Sequence, residues 1–147
     1  MLRRLRVVVS GMALAAFTLA GAGGASAQEP EKPTLTFDGD RALMIMLIKP
    51  DKSADFEAVI AKYREALGKS DKEARKAQLA GMNVFKSPTP MNGSAAYVFS
   101  FDPIVKGEEY DITKVVTEVF PVEVQEIYLK YKDSFVGRQI IPLIRIP

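Results

Sequence analysis

Seven consecutive apolar residues, positions 42–48, form a continuous hydrophobic run in the chain. Arg41 precedes the run and Lys49-Pro50 follows it, and seven residues suit a strand better than a free-standing helix. Side chains alternate between the two faces of a strand, so an apolar residue at every position predicts burial on both faces. We therefore expect a central strand, with helices over one face and another cover over the second.

Helical periodicity follows this strand. Ser53 is a suitable N-cap and Gly68 a suitable C-cap for a first helix, and a second, shorter helical segment covers residues 71–80. The apolar positions of the first helix recur at the spacing of one buried stripe: Phe56, Val59, Ile60, Tyr63 and Leu67.

Two further segments predict an antiparallel hairpin. Residues 82–86 and 95–101 are strand-like, and a loop rich in proline separates them. Alternation places three aromatic side chains on one face of the second strand: Tyr97, Phe99 and Phe101.

The C-terminal third predicts two more helices. Asp111 or Thr113 is the N-cap of the first helix. Pro121 interrupts it and is best accommodated in the first turn of the next helix. That helix is expected to bury Phe135 and to end at Gly137.

A last strand over residues 140–146 completes the chain. Pro142 cannot donate a ladder hydrogen bond, so this strand should lie at a sheet edge or carry a bulge. Residues 35–37 form a possible short additional edge strand. The order β-α-β-β-α-β predicts an α+β fold, a ferredoxin-like sandwich with a four-stranded antiparallel sheet and helices on one face.

This element order, together with the second apolar face of residues 42–48, resembles the dimeric α/β-barrel superfamily of ferredoxin-like proteins. The resemblance implies a homodimer in which the open sheet faces of two subunits pack into a barrel. Known members include cofactor-free monooxygenases and haem-binding or haem-degrading enzymes. The haem proteins generally use a histidine ligand, and this chain has no histidine.

Residues 1–27 have the three parts of a secretory signal peptide. Arginines precede an apolar stretch over residues 7–20, and Ala25-Ser26-Ala27 is the small-residue pattern that signal peptidase accepts. We expect cleavage after Ala27 and export to the bacterial periplasm or the extracellular space. An uncleaved anchor is the alternative, but the apolar stretch is shorter than the roughly 20 residues that a span needs. Arg3-Arg4 leaves twin-arginine export open beside general secretion.

Cleavage would leave a polar leader over residues 28–34 and a single domain over residues 35–147. The whole chain carries 20 basic and 18 acidic residues, a net charge of +2. Removing three arginines leaves 17 basic against 18 acidic residues, a net charge of −1. A nearly neutral exported domain is a poor match for nucleic acid, so we expect no nucleic-acid partner and, after cleavage, no membrane partner.

The missing residue types exclude several kinds of site. Without cysteine the chain has no disulfide, no thiolate nucleophile and no sulfur-ligated metal cluster. Without histidine it has no Ser-His-Asp triad and no imidazole ligand or base. We expect no cofactor and no metal, and acid–base chemistry would have to use carboxylates, lysine or tyrosine.

Charge is unevenly distributed along the chain. Residues 49–76 hold eight basic and six acidic residues, whereas residues 102–126 hold seven acidic and two basic ones. Two interpretations fit this polarity: solvated helix faces, or surfaces that steer a partner or align two subunits.

Six residues are candidates for binding a small apolar ligand. Met44 and Met46 share one strand face, where flexible thioethers fill a core, an interface or a pocket; Cu(I) ligation is a further option. Tyr97 and Phe99 would line a barrel cavity, with Arg41 and Asn83 as polar contributors. Asp38 with Asp40, and the acidic group from Glu108 to Asp111, suit turns and caps better than catalysis. Asp38 and Asp40 also lack the further spaced ligands that a Ca²⁺-binding loop needs.

These observations predict an exported domain that acts as a homodimeric, non-catalytic binding or structural module. The alternative is a cofactor-independent oxygenase- or isomerase-like enzyme that uses Tyr97, Asn83 or Arg41 on a small apolar molecule.

Overall fold

The structure is a computed structural model that describes residues 33–147. The predicted signal peptide and most of the predicted leader lie outside the described residues. Four strands and four α-helices follow in the order β1 (Arg41–Ile48), α1 (Ser53–Lys69), α2 (Glu73–Ala80), β2 (Met82–Lys86), β3 (Ala95–Phe101), α3 (Ile112–Val119), α4 (Val124–Ser134) and β4 (Phe135–Leu143), with one 3₁₀ turn at Pro50–Lys52.

The four strands form one antiparallel sheet in the order β2-β3-β1-β4. The predicted α+β class is therefore confirmed. β1 is central, as its apolar run predicts, and β2 and β4 are the two edges. Residues 33–147 belong to one compact unit, and none of the helices among them is long and apolar enough to cross a bilayer.

Alternation along the strands divides the sheet into two faces. The helix-covered face carries the buried core, which includes Met44, Met46, Phe99 and Phe101 from the sheet and Phe56 from α1. The opposite face, called the open face below, is set by the pairing registers. It consists of Arg41, Leu43, Ile45 and Leu47 from β1, Asn83 and Phe85 from β2, Ala96, Val98 and Ser100 from β3, and Gly137, Gln139, Ile141 and Leu143 from β4.

The boundary between α4 and β4 differs from the prediction. Phe135 continues the helical spacing from Tyr131, and Gly137 suits a helix end, which is why the sequence favours a longer helix. In the structure Phe135 has extended backbone (φ −70°, ψ 132°) and pairs with Ile48. A register shift after this pair marks a bulge, and Gly137 then pairs with Leu47 inside the strand.

The N-terminal residues 35–37 do not form the expected strand. Leu35 and Phe37 are nevertheless buried in the core, and the Tyr110 N–H donates to the Leu35 carbonyl at 2.8 Å. Alternation of apolar side chains here reflects burial of two side chains by an irregular segment, without a ladder of hydrogen bonds.

The two oppositely charged segments contact each other within the chain. Arg75 and Lys72 of the basic segment pair with Glu118 at 2.7 and 3.1 Å, and Lys62 pairs with Glu123 at 2.6 Å. Neither interpretation of the sequence anticipated this arrangement, in which the charges join α1 and α2 to the segment that contains α3.

Candidate functional site

The structure divides the six candidate ligand residues between the two faces of the sheet. Met44 lies opposite Phe99 and Met46 opposite Tyr97, all on the helix-covered face. Arg41 and Asn83 lie on the open face, where Arg41 is opposite Leu143 and Asn83 is opposite Ser100. Tyr97 is therefore not brought together with Asn83 or Arg41, because the register of β2 against β3 places Lys86 opposite Tyr97.

Met44 and Met46 are completely enclosed by the core, with 1% and 0% of their surfaces exposed. The Phe56 ring packs at 5.0 Å from the Tyr97 ring and at 6.4 Å from the Phe99 ring. These contacts place the two thioethers and the two rings between the sheet and α1, where they stabilise the fold by burial.

The open face is almost free of charge. Its one ionisable side chain is Arg41, whose Nε lies 2.8 Å from Asp102 Oδ1. Leu43, Ile45 and Leu47 form the centre, and they are only half-buried. Four strands at ordinary spacing and eight residues of length give the whole face, including its polar residues, an extent of roughly 500 Å².

A second candidate site surrounds the Tyr97 hydroxyl on the helix-covered side. This hydroxyl donates to Glu57 Oε1 at 2.7 Å, and Lys86 Nζ donates to the same oxygen at 2.8 Å. The ammonium group of Lys86 also lies 5.4 Å from the centre of the Tyr97 ring. A groove of about 230 Å³ opens here between α1 and β2, and it is lined by Glu57, Ile60, Arg64, Val84, Phe85, Lys86 and Tyr97.

The hydrogen bonds in this groove fix the charges of its members. The bonds from Lys86 and Tyr97 hold the pKa of Glu57 below its ordinary value. The bonds that Lys86 makes with Glu57 and Tyr97 raise the pKa of the lysine. Both groups stay charged at neutral pH, so neither is poised to exchange a proton there, and the groove is suited to recognition.

Sequence reasoning missed Glu57 and Lys86. The two residues are 29 positions apart, and each is an ordinary surface residue in its own segment. Only the packing of α1 against the end of β2 brings them to one tyrosine. No local signal could have identified the pair.

The buried guanidinium of Arg75 was also missed. It is 2% exposed and donates to Glu118, Glu108 and Gln78, and to the carbonyl of Glu109. These partners occupy the guanidinium from several sides, so we interpret the cluster as a structural link between α2 and the segment around α3.

Comparisons with known proteins identify no relative. No family model, no curated protein and no solved structure matches the chain. Among residues 33–147, no group of three or more aspartate or glutamate side chains is arranged to hold a metal ion. The function therefore has to be argued from the two surfaces described above.

Proposed function

We propose that this protein is an exported, non-catalytic binding or structural module that acts as a homodimer. The observation that carries the proposal is the apolar centre of the open face, whose one ionisable side chain, Arg41, is paired with Asp102. Two copies of the chain would pack these faces together and remove the apolar surface from water. The proposed export rests on the signal-peptide pattern of residues 1–27.

The arrangement of the sheet supports the ferredoxin-like part of the proposal. Read from the β4 edge, the strand order is β4-β1-β3-β2, with β3 between β1 and β2. β1 and β2 are both antiparallel to β3, so they run parallel to each other across it. Two parallel strands with a third strand between them support a split βαβ arrangement, and they favour the resemblance to dimeric α/β barrels.

The chemistry of the open face favours a second copy as its partner. A face with one paired arginine offers little to a charged partner, and its apolar centre suits an identical surface. β1 is apolar on both sides, and the helices within residues 33–147 cover only the side that carries Met44 and Met46. A self-complementary contact would use the same patch on both subunits.

The same face supports binding over catalysis. Any space enclosed between two such faces would contain Asn83, Ser100 and Gln139 as neutral polar groups and Arg41 as the ionisable one. Arginine does not release its proton in proteins, so it cannot act as a general base. The enzymatic alternative offered Tyr97, Asn83 or Arg41, and of these Tyr97 would lie outside that space, because its hydroxyl donates to Glu57 on the helix side.

Native mass spectrometry tests the proposal. The chain from Gln28 onward contains the whole described unit, and we expect its native mass to be that of a dimer. A small apolar molecule retained by the dimer and lost by the monomer would support a binding role, and a bare dimer would support a structural one. Monomers alone at micromolar concentration would contradict the proposal.

A further inference from the structure

We propose that the free edge of β2 and the groove beside it form a docking site for an extended peptide segment of another protein. The segment would pair with β2 as a fifth strand and carry an apolar and an acidic side chain two positions apart. This inference rests on the backbone edge of β2 and on the groove of the helix-covered side, and Phe85 is the one residue of the open face that it uses.

The hydrogen-bond pattern shows which backbone groups are available. The Ser87 N–H donates to the Ala96 carbonyl, and the Asp102 N–H donates to the Gly81 carbonyl, both at 2.8 Å. In an antiparallel pair the residues that bond to the neighbouring strand alternate. The backbone of Phe85 therefore bonds to β3. The N–H and C=O groups of its two immediate neighbours point away from β3, toward the free edge of the sheet.

Those outward residues are Val84 and Lys86. β2 has β3 as its one neighbour in the sheet, and within residues 33–147 no other backbone group bonds to either residue. Unpaired backbone groups at an edge are a template for an added strand.

A lysine at a sheet edge usually discourages such pairing, but Lys86 is turned away from the edge. The ammonium group of Lys86 donates to Glu57 Oε1 of α1 at 2.8 Å and lies over the Tyr97 ring. The edge is left accessible, and Phe85, which is 59% exposed, offers an apolar contact on the other side of an added strand.

The charges of the groove select the chemistry of the segment. Lys86 and Glu57 neutralise each other. Arg64 is exposed and makes no ion pair with any residue in the described part of the chain, so the groove keeps one uncompensated positive charge. That charge favours a carboxylate on the ligand, while Ile60 and Val84 favour an apolar side chain.

The geometry of α1 sets the spacing between the apolar and the acidic side chain of the docked segment. Glu57 lies at the Lys86 end of the groove, and Arg64 is seven residues further along the helix, about 10.5 Å at 1.5 Å per residue. An extended chain covers that distance in about three residues. In the docked segment, an apolar residue at the centre of the groove and an acidic residue two positions along would lie on the same side of the added strand. Both side chains would point into the groove.

Hydrogen exchange measured by NMR tests the site with two defined probes. Both are acetylated and amidated hexapeptides, Thr-Thr-Val-Thr-Glu-Thr and Thr-Thr-Glu-Thr-Val-Thr, which cover the two possible strand directions. At millimolar peptide we expect at least one probe to slow exchange of the Val84 and Lys86 amides about tenfold. The Phe85 amide, already bonded to β3, should change little.

Matched variants separate strand pairing from simple anion binding. Arg64→Gln should weaken binding about tenfold, the loss of one charged hydrogen bond, whereas Arg138→Gln at the opposite edge should not. A probe with N-methylated backbone should not bind. The proposal is overturned if neither probe protects Val84 and Lys86, or if the N-methylated probe binds equally well, which would indicate a site for small anions. It is also overturned if both amides are already protected in the free protein in proportion to its concentration, since a second copy would then occupy the edge.

Discussion

At the scale of single residues, the most consequential side chains are buried polar groups whose nitrogen and oxygen atoms each have a hydrogen-bond partner. No buried side-chain nitrogen or oxygen in the described part of the chain lacks a partner. Arg75 is the largest of these groups, and it joins α2 to Glu118 and Glu108. Desolvating a guanidinium is costly, so its partners must all be present for the arrangement to be stable.

Replacing Arg75 by methionine should therefore destabilise the protein. Methionine retains the aliphatic stem but removes the guanidinium that donates to Glu118, Glu108 and the Glu109 carbonyl, and we expect a loss of about 3 kcal/mol in the free energy of unfolding. Urea denaturation followed by circular dichroism measures this loss. Lys76→Met, which removes an exposed cation from the same helix, is the control and should change stability little. Equal stability of the two variants would contradict a structural role for Arg75.

Glu109 predicts how stability depends on pH. Its burial opposes ionisation, but the backbone N–H groups of Thr34, Asp111 and Leu35 donate to its carboxylate and outweigh that effect, so its pKa lies below the ordinary 4.5. A pKa that is lower in the folded state stabilises the protein above pH 4.5, and this stabilisation is lost as pH falls through the folded pKa.

Denaturation between pH 6 and pH 3 measures the effect. The free energy of unfolding should fall with acidification, and Glu109→Gln should make the fall shallower while lowering stability at pH 6 by about 1–3 kcal/mol. The acid dependence would be misassigned if the variant and the unchanged protein lost stability in parallel.

Residue-scale contacts were the least predictable from sequence. Arg75 and Glu118 are 43 positions apart, and Glu57 and Tyr97 are 40 positions apart. Pairs of this kind depend on how helices pack on the sheet, and no local spacing encodes them.

At the scale of elements, local patterns were more informative. The predicted bounds of β2 and β3 agree with the structure, because each strand is set off by glycine, proline or asparagine in the flanking turns. Asp111 is the N-cap of α3, and its Oδ1 accepts from the N–H groups of Thr113 and Lys114 at 3.0 and 3.1 Å. The predicted end of α4 was wrong because the helical spacing of apolar residues continues through Phe135. Only the pairing of Phe135 with Ile48 makes that residue part of a strand.

The cap of α3 gives a prediction at this scale. Asp111→Ala removes the acceptor from two N–H groups of the first turn and should cost about 1 kcal/mol in the free energy of unfolding. Asp111→Asn retains an acceptor oxygen and is the matched control, with a smaller loss expected. Thermal denaturation of both variants distinguishes them, and an alanine variant as stable as the asparagine variant would show that the cap contributes nothing.

At the scale of the whole molecule, the succession of sequence patterns predicted the element order. The one apolar run over residues 42–48 predicted the central position of β1. The sequence did not show which of the candidate ligand residues lie on the same face of the sheet. Tyr97 was grouped with Asn83 and Arg41, although the register places them on opposite faces. Register depends on pairing between strands, and a shift of one residue exchanges the faces.

The homodimer proposed on the open face is tested by static light scattering on the chain from Gln28 onward. Ile45 lies at the centre of that face, opposite Val98 and Gln139, so Ile45→Glu would place a charge in the proposed contact. Leu129→Glu, which alters a side chain on α4 that is 48% exposed, is the control. We expect the unchanged chain and the control to have twice the mass of a single chain, and Ile45→Glu to be a folded monomer by circular dichroism. An unchanged chain that is monomeric at micromolar concentration, or an Ile45→Glu variant that stays dimeric, would contradict the account.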